Sequence, residues 1–221
     1  MSPEPTTRQR IVAAAVSLFA EQGFDATSVN QVVQRAAVAK GALYHHFSSK
    51  DDLLYEVYRE LVERQLAGLQ AIVARDLDPA VALRLIIADL VTTTAAKVAE
   101  ATVFFREGHR LSDENQQRAR HARRLIHDSV IDLVRHAQHT GQFSLVASPE
   151  MVAFTVFGVI NELPVWYQPD GARSPADIAA ELSDLVLAAL QVPPALQVPP
   201  AGTADQQSRS TPLTAKERTS R

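Results

Sequence analysis

Five helix starts are written into this chain with their caps in place, and strand signals are nearly absent. Ser28 followed by Gln31, and Ser49 followed by Asp52, read as capping boxes. In such a box a hydroxyl takes an unpaired first-turn amide, and the side chain three residues on returns the bond. Asp78-Pro79, Ser148-Pro149 and Ser174-Pro175 each set an N-cap before a proline, whose fixed φ and missing N–H suit the first helical position. Thr6 or Thr7 precedes the amphipathic stretch Ile11, Ala14, Ala15, Leu18 and Phe19, and Ser112 precedes a long charged helix. The sum is an all-α fold of about eight to ten helices.

Breaks are expected at Gly23, from Asp76 to Pro79, at Gly108, from Gly141 to Pro149 and from Pro164 to Pro175. The segment Met151 to Leu163 is apolar on nearly every face, and a helix of that kind must be covered all round. With Ile178, Leu182, Leu185, Val186 and Leu190 on the next helix, it either completes a monomer core or offers a face to a second copy by two-fold symmetry. Periodicity alone favours neither. From Val192 the chain repeats Gln-Val-Pro-Pro-Ala and then turns polar, so residues 192–221 read as a disordered Pro-rich tail.

The length suits a small domain plus a larger one. There are no cysteines, which excludes disulfides, thiolate metal sites and cysteine nucleophiles. Asp89, Lys97 and Glu100 interrupt the longest apolar stretch, and the N-terminus lacks a signal-peptide core. A cytoplasmic chain without membrane contact is therefore expected. The net charge of −3 conceals a division, since residues 1–50 carry five basic and three acidic groups while residues 51–204 carry thirteen and twenty. An N-terminal +2 permits nucleic-acid binding without demanding it, so any such claim must rest on a motif.

That motif runs from Ser28 to Phe47. A short helix carries Val29, Val32 and Val33 on one face and ends near Ala36 and Ala37; Val38 packs inward at the turn, and a second short helix spans Lys40 to Phe47. Two short helices joined by a tight turn present the second as a convex ridge matched to the major groove of double-stranded DNA. Gly41 and Ala42 let its backbone approach a partner closely, while Leu43 and Phe47 point back into the core at i, i+4 spacing.

The run Val38-Ala-Lys-Gly-Ala-Leu-Tyr-His-His-Phe-Ser-Ser-Lys-Asp-Asp-Leu53, with Leu18-Phe-Ala-Glu-Gln-Gly-Phe-Asp-Ala-Thr27 before it, resembles the TetR family of one-component transcriptional regulators. Ala37 stands where a turn glycine is common and Ala39 where a capping serine is common. The resemblance implies a helix-turn-helix DNA-binding domain over residues 1–48 and a helical effector-binding and dimerisation domain over 49–191. It implies phosphate contacts from Thr27, Tyr44 and Lys50, a DNA contact from Ser28, a phosphate or base contact from His45, and base-reaching positions at Lys40, Gly41 and Ala42. It further implies a homodimer on a palindromic operator, released when a ligand moves the fourth helix and spreads the recognition helices. A repressor is expected because the family mostly acts so.

For the effector, Phe104, Phe105, Arg106, His109, Arg123, Arg124, His127, Trp166 and Tyr167 are candidates to line a cleft, though such residues equally suit helix packing with snorkelling arginines. Val165-Trp-Tyr-Gln-Pro-Asp-Gly171 is similar to the Trp-Tyr-Arg-Pro turn of TetR relatives that control fatty-acid or sterol breakdown and answer to acyl-CoA thioesters, with Gln168 in place of the arginine. An acyl-CoA is the first expectation. A drug or natural product, in a regulator of efflux or biosynthesis genes, is the second. The alternative of another class is a helical metal-dependent enzyme using His121, His127, His136 and His139, where Asp132 and His136 stand at i, i+4. Phosphate-loop, serine-elbow and glycine-rich nucleotide motifs are absent, and no cofactor is expected.

Overall fold

The computed structural model describes residues 4–191, and these are helical with no strand. The helices are α1 (Thr7–Gln22), α2 (Val29–Arg35), α3 (Lys40–His46), α4 (Lys50–Val73), α5 (Pro79–Ala96), α6 (Val98–Glu107), α7 (Asp113–His139), α8 (Pro149–Trp166) and α9 (Pro175–Leu190), with a 3-10 turn over Gly108–Arg110. The expected tail over 192–221 lies outside the described residues.

Local capping chemistry set the starts as expected. Thr6, Ser28 and Ser174 complete reciprocal boxes, and Asp78, Ser112 and Ser148 cap through their side chains. Two boundaries differ. Ser49 accepts the Asp52 N–H, but the Asp52 carboxylate turns away to Ser48 and Asn115, so the box is only half made. Pro164 does not end α8, which runs on to Trp166, because a proline in the last turn removes only one intrahelical bond.

Two cores organise the chain. The smaller joins α1, α2 and α3 through Ile11, Phe19, Val32, Leu43 and Phe47; it takes in Leu53, Leu54 and Val57 of α4 and is closed by Val103 and Leu111. The larger is built from α4, α5, α7, α8 and α9. A division at residue 48 therefore runs through the first core rather than beside it, and α4 belongs to both. By length and composition α5 could span a membrane, contrary to the reading that no apolar run is long enough. Its apolar side chains Leu83, Ile86, Ile87 and Leu90 are instead buried against α4, α8 and α9.

Candidate functional site

The turn between α2 and α3 is unusual at two alanines. Ala37 has φ +52°, a left-handed conformation that glycine adopts freely and an L-side chain adopts at a cost. Ala39 is the N-cap of α3 and offers no side-chain bond to it. The turn closes nevertheless, through the Val38 N–H to the Val33 carbonyl at 3.1 Å and the packing of Val38 on the core.

Leu43 is fully buried and Phe47 nearly so, which fixes the rotation of α3. Lys40, Gly41, Tyr44 and His45 consequently face solvent, with Ala42 half-buried between them. Tyr44 is 50% exposed, a large aromatic surface left uncovered by the protein itself. A Cβ on Gly41 would meet nothing within 4 Å. Nothing among the described residues requires glycine there.

Two residues expected on this surface are turned inward. The Thr27 hydroxyl is buried, donating to the Gly23 carbonyl at 2.8 Å and accepting from Gln22 Nε2 at 3.1 Å. The Lys50 ammonium donates to the carbonyls of Phe24 at 2.7 Å and Thr27 at 2.9 Å and lies over the Phe24 ring. Both fasten the α1–α2 loop, because that loop leaves carbonyls that no helix satisfies. Ser28 is exposed but engaged in capping α2. Around this unit, Arg35 pairs with Glu21, and the Glu21 carboxyl falls to about 2 through hydrogen bonds from Arg35 and then Ser17. Arg8 pairs with Glu56 and Glu60, tying α1 to α4.

The cleft candidates divide. Phe104 stacks on Tyr58 at 3.6 Å between ring centres, and with Arg123 it separates two cavities. One, about 40 Å³, also meets Phe105, Gln65, Thr94 and Asn161. The other, about 230 Å³, also meets His109, Leu111, Gln116, Ala119 and Arg120. Phe104, Phe105, His109 and Arg123 are thus brought together. The remaining candidates line neither cavity. Arg106 reaches α1, donating to the Ala20 carbonyl at 3.4 Å; Arg124 is exposed; Trp166 and Tyr167 stand at the end of α8. His127 stacks on Phe157 at 3.8 Å, and burial pushes its imidazole below the ordinary histidine range. Tyr58, Gln65 and Asn161 had no signal in sequence, because helical periodicity marks them only as packing positions.

A wider groove of about 700 Å³ opens at the far ends of α4 and α7, beside Leu77, Asp78, Asp132, Leu133 and His136. It lies away from α1–α3, whereas the 230 Å³ cavity shares Leu111 with the first core. Asp132 there is paired with Arg135 at 2.5 Å, and among the described residues no three His, Asp or Glu side chains are grouped to hold a metal ion. The alternative of a metal-dependent enzyme on the His121, His127, His136 and His139 face thus finds no ligand cluster among the described residues, although Asp76 and Asp78 line the same groove as Asp132 and His136. On α8 the buried face is Val152, Val156, Phe157, Ile160 and Leu163, while Met151, Phe154, Val165 and, on α9, Leu185 are exposed.

Comparison with known proteins agrees with this arrangement. Residues 11–57 match the family of bacterial regulatory proteins of the tetR type, and residues 76–190 match the tetracyclin repressor-like C-terminal domain. The HTH-type transcriptional repressor KstR2 of Mycolicibacterium smegmatis is 24% identical over 195 residues, covering 84% of this chain and 91% of that protein. Among solved structures, the TetR family regulator PfmR from Thermus thermophilus superposes with a TM-score of 0.75 at 27% identity, over 81% of this chain and 97% of that one. AibR, solved in complex with isovaleryl coenzyme A and operator DNA, shares the fold with a TM-score of 0.71 at 20% identity, over 81% and 97% of the two chains. The chain belongs to the tetR family of bacterial regulatory proteins and is a DNA-binding transcriptional regulator rather than an enzyme.

Proposed function

We propose that this regulator is a cytoplasmic homodimeric repressor that places α3 in the major groove of each half of a palindromic operator, and that an acyl-CoA thioester releases it. The observation that carries the DNA reading is the exposed ridge of Lys40, Gly41, Ala42, Tyr44 and His45 on a helix held in rotation by Leu43 and Phe47. Open space at Gly41 suits close approach by a phosphate or base edge. Ser28, exposed at the N-cap of α2, is the further candidate for a backbone-phosphate contact. Thr27 and Lys50 act indirectly, by holding the loop that presents Ser28.

One such unit reads few base pairs, so useful specificity calls for two. The exposed Met151, Phe154, Val165 and Leu185 on α8 and α9 supply an apolar face for a self-complementary contact. The effector domain over residues 49–191 then carries dimerisation on one side and the cavities on another.

The aromatic walls of Tyr58, Phe104 and Phe105 suit an acyl chain, and Arg120, Arg123 and His109 at the larger cavity suit the phosphates of a coenzyme A. Rotation of Phe104 off Tyr58 would join the two cavities. The complex of AibR with isovaleryl coenzyme A makes this ligand class the first to try. The test is titration of the purified protein onto the DNA upstream of its own gene at rising salt, followed by isovaleryl-, hexanoyl- and palmitoyl-CoA. A saturable, sequence-specific complex dissolved by one of them is expected. Absence of any specific complex would refute the repressor reading, whereas a complex indifferent to all three would refute the effector alone.

A further inference from the structure

The first turn of α4 is tied to the start of α7 at one carboxylate. Asp51 Oδ1 accepts the Ser112 backbone N–H at 2.7 Å, and its Oδ2 accepts the Ser112 hydroxyl at 2.8 Å and the Asn115 amide at 2.6 Å. Asn115 is 3% exposed, and the same amide reaches Asp52 Oδ1 at 3.3 Å. A second tie between the two parts, Arg110 to Asp25 at 3.0 Å, is exposed on both sides and so contributes little. Charge-assisted bonds to a carboxylate with a buried donor are the stronger anchor.

The segment that supplies these donors has another side. Leu111 and Gln116 line the 230 Å³ cavity, and Gln116 braces the turn by donating to the Leu111 carbonyl at 2.8 Å. The short segment 111–116 therefore meets both the cavity, through Leu111 and Gln116, and Asp51, through Ser112 and Asn115. A ligand that shifts this turn changes the distance from Ser112 and Asn115 to Asp51, and with it the pitch of α4 and the position of α1–α3. Coupling of this kind requires only that the ligand favour the geometry in which the junction is broken.

We propose that the Asp51–Ser112–Asn115 junction positions the DNA-binding helices in their operator-competent pose and is the joint through which the cavity acts on them. This rests on the repressor reading above. Asn115→Asp places a carboxylate against Asp51 yet keeps α7 capped, since an acidic residue at the third helical position is favourable there. The full chain carrying Asn115→Asp should bind operator about tenfold more weakly with unchanged circular dichroism, and its α4 amides near Leu53 should exchange faster. The exchanged pair Asp51→Asn with Asn115→Asp restores a donor opposite an acceptor and should recover most of that binding. Ala119→Leu, which intrudes on the cavity from α7, should weaken the wild type but add little to Asn115→Asp. Wild-type binding with no loss in Asn115→Asp would overturn the junction's positioning role, and additive losses would overturn its link to the cavity. Failure of the wild type itself to bind would instead count against the repressor reading.

Discussion

The Lys50 ammonium lies 4.1 Å from the centre of the Phe24 ring and donates to the Phe24 carbonyl at 2.7 Å. A lysine that the family motif assigns to phosphate thus serves as a staple between α4 and the α1–α2 loop. Lys50→Ala is expected to lower stability by about 1.5–3 kcal/mol, the range for a hydrogen bond to a charged group, as well as operator affinity. Thermal melts without DNA separate the two roles. An unchanged melt with reduced affinity would return Lys50 to direct phosphate contact.

Tyr44 and Lys40 have the opposite character, being exposed and serving the fold only as members of a helix. Tyr44→Ala and Lys40→Ala should leave the melt within about 0.5 kcal/mol of wild type, as for surface sites generally. Lys40→Ala should also weaken operator binding and relax the preference for the base pair it reaches, by about 1–3 kcal/mol of discrimination. An unaltered preference across operator variants would remove Lys40 from the base contacts.

Ala37 is held at φ +52° in the turn before the recognition helix. The strain of a left-handed alanine is about 1 kcal/mol and is partly offset in glycine by the entropy lost on folding. Ala37→Gly should therefore stabilise by a few tenths of a kcal/mol to about 1 kcal/mol, and the β-branched Ala37→Val should destabilise by more. Denaturant melts of the two variants decide it, and equal stability would mean that the turn adjusts.

Asp89 on α5 packs its Oδ2 against Gly68 of α4, buried and without a hydrogen-bond partner among the described residues. Burial pushes its carboxyl above the ordinary carboxylate range. A raised carboxyl binds its proton more tightly in the folded state, so stability falls as pH climbs from the ordinary carboxylate range through the folded value. Asp89→Ala should stabilise by about 1 kcal/mol at neutral pH, with the gain shrinking in acid. A Cβ on Gly68 would lie 2.3 Å from Asp89 Oδ2, so Gly68→Ala should cost about 1–3 kcal/mol alone. In the Asp89→Ala background the same change should become neutral or stabilising, because alanine is the better helix former. Melts of the four proteins across pH test both claims; a cost of Gly68→Ala that persists without Asp89 would defeat the packing argument.

Helix starts were legible in the amino-acid order alone, because a cap is a matter of three residues: Thr6, Ser28, Ser148 and Ser174 bond to amides that follow them immediately. The turn and the ridge were legible too, since Leu43 and Phe47 at i, i+4 spacing fix which side of α3 faces out. Where long polar side chains go was settled by the packing of distant helices. Lys50 reaches a carbonyl 26 residues before it, and Asp51 finds donors on and just before α7, more than sixty residues away. Arg106 turns to α1 while Arg123 turns to the cavity, a difference that composition cannot carry. The reason is physical: a cap or a periodic face is satisfied within its own helix, whereas a lysine, aspartate or arginine takes whichever partner the packing of other helices brings within about 3 Å.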